Sequence, residues 1–324
     1  MKLIVQIPCL NEEKTLPYTI RDIPKKIDGI DEIEVLVVDD GSKDRTSEVA
    51  KECGANHVIR IINTVGLARA FATGVDECLK RGADIIVNTD GDNQYSGSDI
   101  PKLIKPIFKD EADVVIGVRD IDAVTHFSFI KKRLQKLGSW VVRKASGTNI
   151  SDVTSGFRAF NREAALKINV ISDFSYTLES LIQAGNRKIA LKHVPIGINA
   201  QLRPPRLFRN TLHYLRLSIP TIIRIYTMYQ PLKVFTFVGV VTFISGLSIS
   251  VRFLYYFFQG SGGKVQSLIL AAILIIMGFQ FLMIGLLSDL IAGNRKLLED
   301  ALYRVKKLSI ANRDEKSVHE SDFQ

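Results

Sequence analysis

The sequence predicts an α/β domain with a doubly wound, mostly parallel sheet, followed by a membrane anchor. Short apolar runs alternate with helical patterns through the first 120 residues, which is typical of a parallel sheet. Two long uncharged runs follow in the second half. Charge is uneven, because residues 201–324 carry 15 of the 43 Lys and Arg residues but only 7 of the 34 acidic residues. The three cysteines lack C-x-x-C spacing, which excludes a disulfide framework and a cysteine zinc site.

Five strands and four helices are predicted in the first domain. The strands are 3–7, 33–38, 58–62, 85–88 and 114–117. The helices between them are 13–27, 44–52, 67–80 and 98–108. Since ligands of such sheets bind beyond the carboxyl ends of the strands, the residues directly after each strand are the candidate site.

Polar motifs stand at these positions. PCLNEE follows the first strand, Asp39-Asp40-Gly41-Ser42 the second, Asp90-Gly91-Asp92 the fourth, and Arg119 the fifth. These turns contain neither the G-x-G-x-x-G dinucleotide fingerprint nor the phosphate loop of P-loop enzymes, so both classes are disfavoured.

The Asp90-Gly91-Asp92 turn carries the sharpest chemical signal. Two carboxylates two residues apart at a strand end can bind one hard cation, Mg²⁺ or Mn²⁺, and Gln94 can add an oxygen. The alternative is an Asp-rich turn that caps the helix near Ser98.

Asp39 and Asp40 leave two interpretations open. They can form a tight turn and N-cap before the helix at 44–52. They can also bind a base or a ribose, and the two carboxylates allow both roles.

The uncharged runs at 234–251 and 265–288 are 18 and 24 residues long. About 20 apolar residues span a bilayer core, so we predict two transmembrane helices, about 232–258 and 265–291, rather than two buried core helices. The Gly-rich linker between them predicts an antiparallel hairpin. Gly239 and Gly246 can support close packing within this hairpin or in an oligomer.

Flanking charges predict the orientation. Basic residues precede the first run and follow the second, which by the positive-inside rule places the α/β domain and both termini in the cytoplasm. No signal peptide is expected at residues 1–8. We predict the α/β domain at 1–203, amphipathic interfacial helices at 204–231, transmembrane helices within 232–292, and a basic helix with a disordered tail at 293–324.

The ordered set of motifs resembles glycosyltransferase family 2. It comprises PCLNEE at 8–13, VVDDGSKDRT at 37–46, GLARAFATG at 66–74, TDGDNQY at 89–95, IGVR at 116–119 and DVTSGFRAF at 152–160. The branch that it resembles contains dolichyl-phosphate mannose synthases and bactoprenol glucosyltransferases. The resemblance implies a GT-A fold and transfer of one sugar from a nucleotide donor to a polyprenyl phosphate, undecaprenyl or dolichyl.

The resemblance also implies roles for individual residues. Pro8, Asn11 and Glu12 would lie against the nucleotide, and Asp39 or Asp40 would bind its base or ribose. Asp90, Asp92 and Gln94 would hold Mg²⁺ or Mn²⁺ and the donor diphosphate. The phosphate-facing arginines would be Arg119, Arg133 and Arg203. The acceptor-side motif would contribute Asp152, Gly156 and Arg158. Glu179 resembles a less certain site position.

The chain departs from the family pattern at two places. Gly91 stands where alanine is common, and Pro204-Pro205-Arg206 follows Arg203 where a small hydroxyl residue is expected. The processive Q-x-x-R-W signature is absent, which favours transfer of a single sugar.

The acceptor phosphate, with a second pKa of about 6, is already largely ionised at neutral pH and needs no strong general base. A single attack by this phosphate on the donor sugar implies inversion of the anomeric configuration.

The alternatives are a family 2 transferase with a hydroxyl acceptor, which would need Asp152 or Glu179 as base, and a non-catalytic nucleotide-sugar sensor. The expected partners are the nucleotide-sugar donor, the polyprenyl phosphate and the lipid bilayer; no nucleic acid is expected, and an oligomer is possible.

Overall fold

The computed structural model describes residues 1–119, 143, 147–148, 150, 152–170, 176–200, 220, 223–224, 226–260 and 265–321, with side chains up to residue 312. The chain forms two compact units. The first comprises Met1–Ile222 together with Ala301–Gln324, and the second is Ile223–Asp300.

The first unit is built on a seven-stranded sheet. Its elements in chain order are β1 (Lys2–Cys9), α1 (Leu16–Asp22), β2 (Glu32–Asp39), α2 (Thr46–Glu52), β3 (His57–Arg60), α3 (Leu67–Lys80), β4 (Ile85–Asn88), α4 (Ile100–Phe108), β5 (Val114–Val118), β6 (Arg158–Asn161), α5 (Arg162–Lys167), α6 (Tyr176–Asn186) and β7 (Leu191–Pro195). The strand order is β3-β2-β1-β4-β6-β5-β7.

The sheet is mostly parallel, as predicted. The exception is β6, which runs antiparallel to both β4 and β5. The predicted strands did not include β6, which lies within the DVTSGFRAF motif, or β7. Because β6 inserts between β4 and β5, it brings the loop before Arg158 beside the carboxyl ends of those two strands.

The α1 helix is shorter than the predicted segment 13–27. Ile23 ends it with extended backbone angles, φ −70° and ψ 124°. Proline disfavours helical angles in the residue before it, and residue 24 is proline, so the helix stops there despite an apolar pattern that continues.

The second unit contains α7 (Pro231–Phe258) and most of α8 (Val265–Ser321). Both helices are long and apolar enough to cross a membrane, with mean hydropathies of 2.1 and 2.6 over their apolar windows. Their apolar side chains are largely exposed; Phe237, for example, is 72% exposed.

The two helices pack against each other through glycines. A Cβ atom placed on Gly278 would lie 2.7 Å from the backbone nitrogen of Phe243, and one on Gly246 would lie 2.9 Å from that of Ile275. A Cβ on Gly239 would lie 3.0 Å from the carbonyl oxygen of Gly278. The predicted hairpin is therefore present, and Gly239 and Gly246 lie at the contact between its two helices.

Disorder of the tail stays a prediction. The basic helix predicted after the second apolar run lies within α8, which continues without a break to Ser321. Its end packs on the α/β domain within the first unit. The Tyr303 hydroxyl donates to Glu163 at 2.8 Å, Lys306 Nζ lies 2.8 Å from Asp76, and Lys307 Nζ lies 2.9 Å from Glu163. Basic residues of this predicted helix therefore have acidic partners on α3 and α5. The predicted interfacial helices at 204–231 fall largely outside the described residues.

Candidate active site

The predicted site residues gather at the carboxyl ends of β1, β2, β4 and β5. Register explains the clustering: Cys9 is paired with Asp39, and Gln6 with Asn88, so the turns after these parallel strands share one sheet edge. The loop before β6 reaches the same edge, since Gly117 N donates to the carbonyl oxygen of Phe157 at 2.8 Å.

Asp90 and Asp92 form a pair of neighbouring, partly exposed carboxylates. Burial, together with the charge of Asp92, raises the pKa of Asp90 to about 7, while Arg119 acts in the opposite direction. A divalent cation beside Asp90 and Asp92 would neutralise both carboxylates and so offset this effect on Asp90.

Asp92 also shapes the turn, because its Oδ1 accepts from Gln94 N at 3.1 Å. Neither the short 3₁₀ helix at Gly97–Asp99 nor α4 has a side-chain cap, so the alternative capping role for the Asp-Gly-Asp turn is not observed.

The residues present fit Mg²⁺ or Mn²⁺ as a site shared with substrate. Across the part of the chain that the structure describes, no group of three or more His, Cys, Asp or Glu side chains is placed to hold a metal ion. Two carboxylates leave coordination positions for phosphate oxygens and water, which is how Mg²⁺ is usually bound in phosphate-transfer enzymes.

Arg119 is anchored by Asp152. Its Nε donates to Asp152 Oδ2 at 2.7 Å, and its Nη2 lies 3.3 Å from Oδ1 and 3.2 Å from the Thr154 hydroxyl. The guanidinium also lies over the Tyr95 ring, 5.7 Å from its centroid. Burial opposes the ionisation of Asp152, but the charge and hydrogen bonds of Arg119 prevail and lower its pKa.

Arg158, expected in the acceptor-side motif, lies beneath the loop that precedes β6. The residue is 1% exposed. Its guanidinium donates to the carbonyl oxygens of Ser155, Val153 and Thr177 and to the Ser180 hydroxyl, at 2.8–3.0 Å. These bonds position the loop that carries Asp152. A direct role of Arg158 at the acceptor stays a prediction.

The turn after β2 uses its carboxylates for backbone hydrogen bonds. Asp39 is fully buried, and its Oδ1 accepts from Ser42 N at 2.8 Å. Asp40 accepts from Val65 N and Gly66 N at 2.8 and 2.9 Å, which fixes the start of α3. The tight-turn interpretation is thus observed. The N-cap interpretation is not, since α2 has no side-chain cap. Binding of a base or ribose stays a prediction.

The motif after β1 is tied to the motif after β2. Asn11 has a left-handed φ of 56°; its backbone nitrogen donates to the Ser42 hydroxyl, and its Oδ1 accepts from Lys43 N, both at 2.8 Å. Glu12 is 8% exposed and accepts from the Thr15 hydroxyl at 2.6 Å. Pro8 lies within β1, paired with Val38. The nucleotide-facing roles of Pro8, Asn11 and Glu12 remain predictions.

Three other predicted positions have different outcomes. Arg133 and Arg203 lie outside the described residues. Glu179 is 1% exposed, and Gln183 Nε2 donates to it at 3.3 Å, so it lies inside α6 rather than at an open site.

Sequence reasoning missed three buried polar residues around the site, Asn88, Tyr95 and Tyr176. The Tyr95 hydroxyl accepts from Gly156 N at 3.0 Å, while Asn88 donates to the Gly156 carbonyl at 2.7 Å and to the Tyr176 hydroxyl at 3.1 Å. A signal existed for Asn88: it is a polar residue ending an otherwise apolar strand, opposite the polar Gln6 of β1.

Comparison with known proteins agrees with this geometry. The profile described as "Glycosyl transferase family 2" matches residues 4–168. A glycosyltransferase named AglJ, from Haloferax volcanii, is 29% identical over 317 residues, 93% of this chain and 96% of the relative. A dolichol-phosphate mannosyltransferase from Pyrococcus furiosus is 30% identical over 266 residues, covering 79% and 72% of the two chains. An undecaprenyl-phosphate mannosyltransferase from Micrococcus luteus is 30% identical over 184 residues, covering 54% and 74%.

Solved structures show the same fold. Glucosyl-3-phosphoglycerate synthase from Mycobacterium tuberculosis, crystallised with Mn²⁺, uridine diphosphate and glucosyl-3-phosphoglycerate, has a TM-score of 0.54 at 23% identity. The likeness covers 70% of this chain and 78% of that one. At this identity it confirms the GT-A architecture only.

Proposed function

The chain belongs to glycosyltransferase family 2, and on that premise we propose that it transfers one hexose from a nucleotide sugar to polyprenyl phosphate at the cytoplasmic membrane surface. The observation that carries this proposal is the meeting of Asp90, Asp92 and Arg119 at one sheet edge, in a chain that also has two apolar helices of membrane-spanning length. The relatives from P. furiosus and M. luteus are named as transferases for dolichol phosphate and undecaprenyl phosphate, which supports the acceptor class.

Asp90 and Asp92, with Gln94, would hold Mg²⁺ or Mn²⁺ against the donor diphosphate. The bound metal would stabilise the charge that develops on the departing nucleoside diphosphate. Pro8, Asn11, Glu12 and the Asp39–Asp40 turn would form the wall for the nucleotide.

Arg119 would bind a phosphate oxygen. Asp152 holds its guanidinium in place through Nε and Nη2, so it meets an incoming phosphate already oriented. Arg133 and Arg203, beyond the described residues, are the candidates for binding the acceptor phosphate.

The phosphate acceptor is favoured over a hydroxyl acceptor by the state of the two carboxylates proposed as a base. Asp152 has a lowered pKa and is paired with Arg119, which makes it a weak base. Glu179 is buried within α6. A phosphate oxyanion needs neither group, and its direct attack would invert the anomeric configuration.

The test is a donor screen on full-length protein in detergent. Each nucleotide sugar, including GDP-mannose, UDP-glucose and a UDP-N-acetylhexosamine, would be incubated with Mg²⁺ or Mn²⁺, with and without polyprenyl phosphate. We expect lipid-dependent release of one nucleoside diphosphate, abolished by EDTA, and a β-linked product from an α-linked donor.

Asp92→Asn is the matched loss-of-function variant, because asparagine keeps the acceptor for Gln94 N and removes the charge. Asp110→Asn is the control: Asp110 is exposed and has a φ of 53°, which asparagine tolerates. We expect turnover to fall at least a hundredfold in the first and stay unchanged in the second. Turnover with a hydroxyl acceptor alone, or donor binding without any transfer, would overturn the proposal.

A further inference from the structure

A chain of buried polar side chains leads from the sheet interior to Asp90. Gln6 Nε2 donates to Asn88 Oδ1 at 2.9 Å, and Asn88 Nδ2 donates to the Tyr176 hydroxyl at 3.1 Å. The Tyr176 hydroxyl lies next to the Asp90 carboxylate, beside Gly156, and its interaction with that carboxylate acts to lower the pKa of Asp90. Gln6 and Asn88 are fully buried, and Tyr176 is 2% exposed.

The direction of these bonds is fixed by chemistry. Asn88 Oδ1 accepts from Gln6, so its amide nitrogen must be the donor to Gly156 O and to Tyr176. A hydroxyl that accepts from an amide still has its own proton to donate, and a carboxylate oxygen of Asp90 can accept it.

The tyrosine ring cannot easily turn away. It stacks on Phe71 with centroids 4.2 Å apart and an interplanar angle of 15°. Its hydroxyl and the Asp90 carboxylate both lie over Gly156: a Cβ atom there would be 2.6 Å from the hydroxyl and 2.8 Å from Asp90 Oδ1. Glycine at 156 therefore leaves the space in which the two groups meet.

We propose that Tyr176 and Asn88 are positioning residues that hold the Asp90 carboxylate in the orientation that binds the divalent cation. The inference rests on the metal site of the proposed function and assigns roles to two residues outside its motifs. Side chains that orient a metal-binding carboxylate typically contribute 10–100-fold to metal affinity.

The test is Mn²⁺ binding to full-length protein in detergent, measured from the free-ion electron paramagnetic resonance signal without donor or lipid. Tyr176→Phe keeps the stacked ring and removes the hydroxyl, and we expect the Mn²⁺ dissociation constant to rise roughly tenfold. Asn88→Ala leaves the tyrosine hydroxyl in place but removes the donor that orients it, so we expect a smaller increase.

Tyr303→Phe is the matched control. It also removes a hydroxyl that donates to a carboxylate, Glu163, but near the amino end of β4, whereas the metal turn follows the carboxyl end of that strand. We expect its Mn²⁺ affinity to equal that of the unmodified protein. Thermal unfolding of all variants checks that each is folded. If Tyr176→Phe is unfolded, the Mn²⁺ affinity of Asn88→Ala tests the proposal in its place.

The outcomes separate this inference from the function that it rests on. If Asp92→Asn weakens Mn²⁺ binding and Tyr176→Phe does not, the metal site stands and the positioning role is wrong. If the unmodified protein does not bind Mn²⁺, both fail. If Tyr176→Phe weakens Mn²⁺ binding but the donor screen finds no sugar transfer, the positioning role stands and the transferase reaction does not.

Discussion

Arg119 and Asp152 form a two-point ion pair, with Nε to Oδ2 at 2.7 Å and Nη2 to Oδ1 at 3.3 Å. The arginine follows β5, and the aspartate lies in the loop before β6. Since β6 is antiparallel and inserts between β4 and β5, the pair joins two loops that are 33 residues apart in sequence. It therefore links Arg119 to the loop before β6, whose backbone carbonyls at Val153 and Ser155 accept hydrogen bonds from Arg158.

This pair predicts a pH-dependent contribution to stability. The pKa of Asp152 is lower in the folded protein than its ordinary value of about 3.9. The contribution is therefore fully present above about pH 4 and is lost as the pH falls through the lower folded pKa. Asp152→Asn should destabilise the α/β domain by about 2 kcal/mol at neutral pH, because Arg119 loses its charged partner.

The measurement is the difference in melting temperature between the unmodified protein and Asp152→Asn from pH 8 to pH 3. We expect the difference to be constant down to about pH 4 and to shrink below it. A difference that grows on acidification would contradict the ion pair. Lys192→Gln, which removes an exposed pair with Glu111, is the control and should change stability by less than about 1 kcal/mol.

A second prediction concerns Gly91 in the metal turn. A Cβ atom there would lie 2.8 Å from Cys9 Sγ, so the thiol occupies the space of the alanine methyl that is common at this position in the family. Gly91→Ala alone should overpack the turn and cost about 1–3 kcal/mol. Adding Cys9→Ala should recover most of that loss.

Melting temperatures of the two single variants and the double variant form a thermodynamic cycle. We expect the double variant to be more stable than Gly91→Ala. Additive losses would show that Cys9 is not what excludes the methyl group.

The sequence predicted the parallel strands β1 to β5 well because each is a short apolar run between turn residues, but it missed the parallel β7. It could not reveal β6, since Arg158–Asn161 has a charged first residue and its pairing depends on strands that lie 42–76 residues earlier in the chain. The same limit applies to the surroundings of Arg158. Its place in a motif beside predicted phosphate ligands suggests a role at the site, and only the tertiary fold shows that its guanidinium donates to backbone carbonyls.

The basic helix predicted after the second apolar run shows the same limit. Its charges predicted the orientation of the hairpin but not their partners on the α/β domain. Asp76 and Glu163, distant in sequence, supply partners for Lys306 and Lys307, and such pairings leave no local pattern.

A third prediction concerns the thiols. Burial raises the pKa of Cys9 well above its ordinary value, with the charges of Glu12, Asp39 and Asp90 adding to it, and burial also raises the pKa of Cys78. Cys53 is only partly buried. Because the thiolate is the reactive form, native protein at pH 8 should be alkylated at Cys53 first.

Mass spectrometry after timed treatment with N-ethylmaleimide checks this. We expect one modified cysteine in the native protein, at residue 53, and three after denaturation. Cys53→Ser should abolish the fast phase. Fast labelling of Cys9 would show that the turn beside Asp90 opens in solution.

The last prediction concerns the helical hairpin. At Gly278 an added Cβ would lie 2.7 Å from the backbone nitrogen of Phe243, so Gly278→Ala must push α7 and α8 apart. Gly293, also on α8, has no atom within 4 Å of the same position, which makes Gly293→Ala a matched control. Both changes raise helix propensity by a similar amount, about 1 kcal/mol, so the difference between them reports on packing alone.

In lipid there is no hydrophobic driving force between helices, so helix association depends on the close contact that small residues permit. Spin labels at 241 and 279, on exposed positions of the two helices, should therefore give a longer and broader distance distribution in Gly278→Ala than in Gly293→Ala. Identical distributions in the two variants would mean that the glycine contact does not hold the hairpin together.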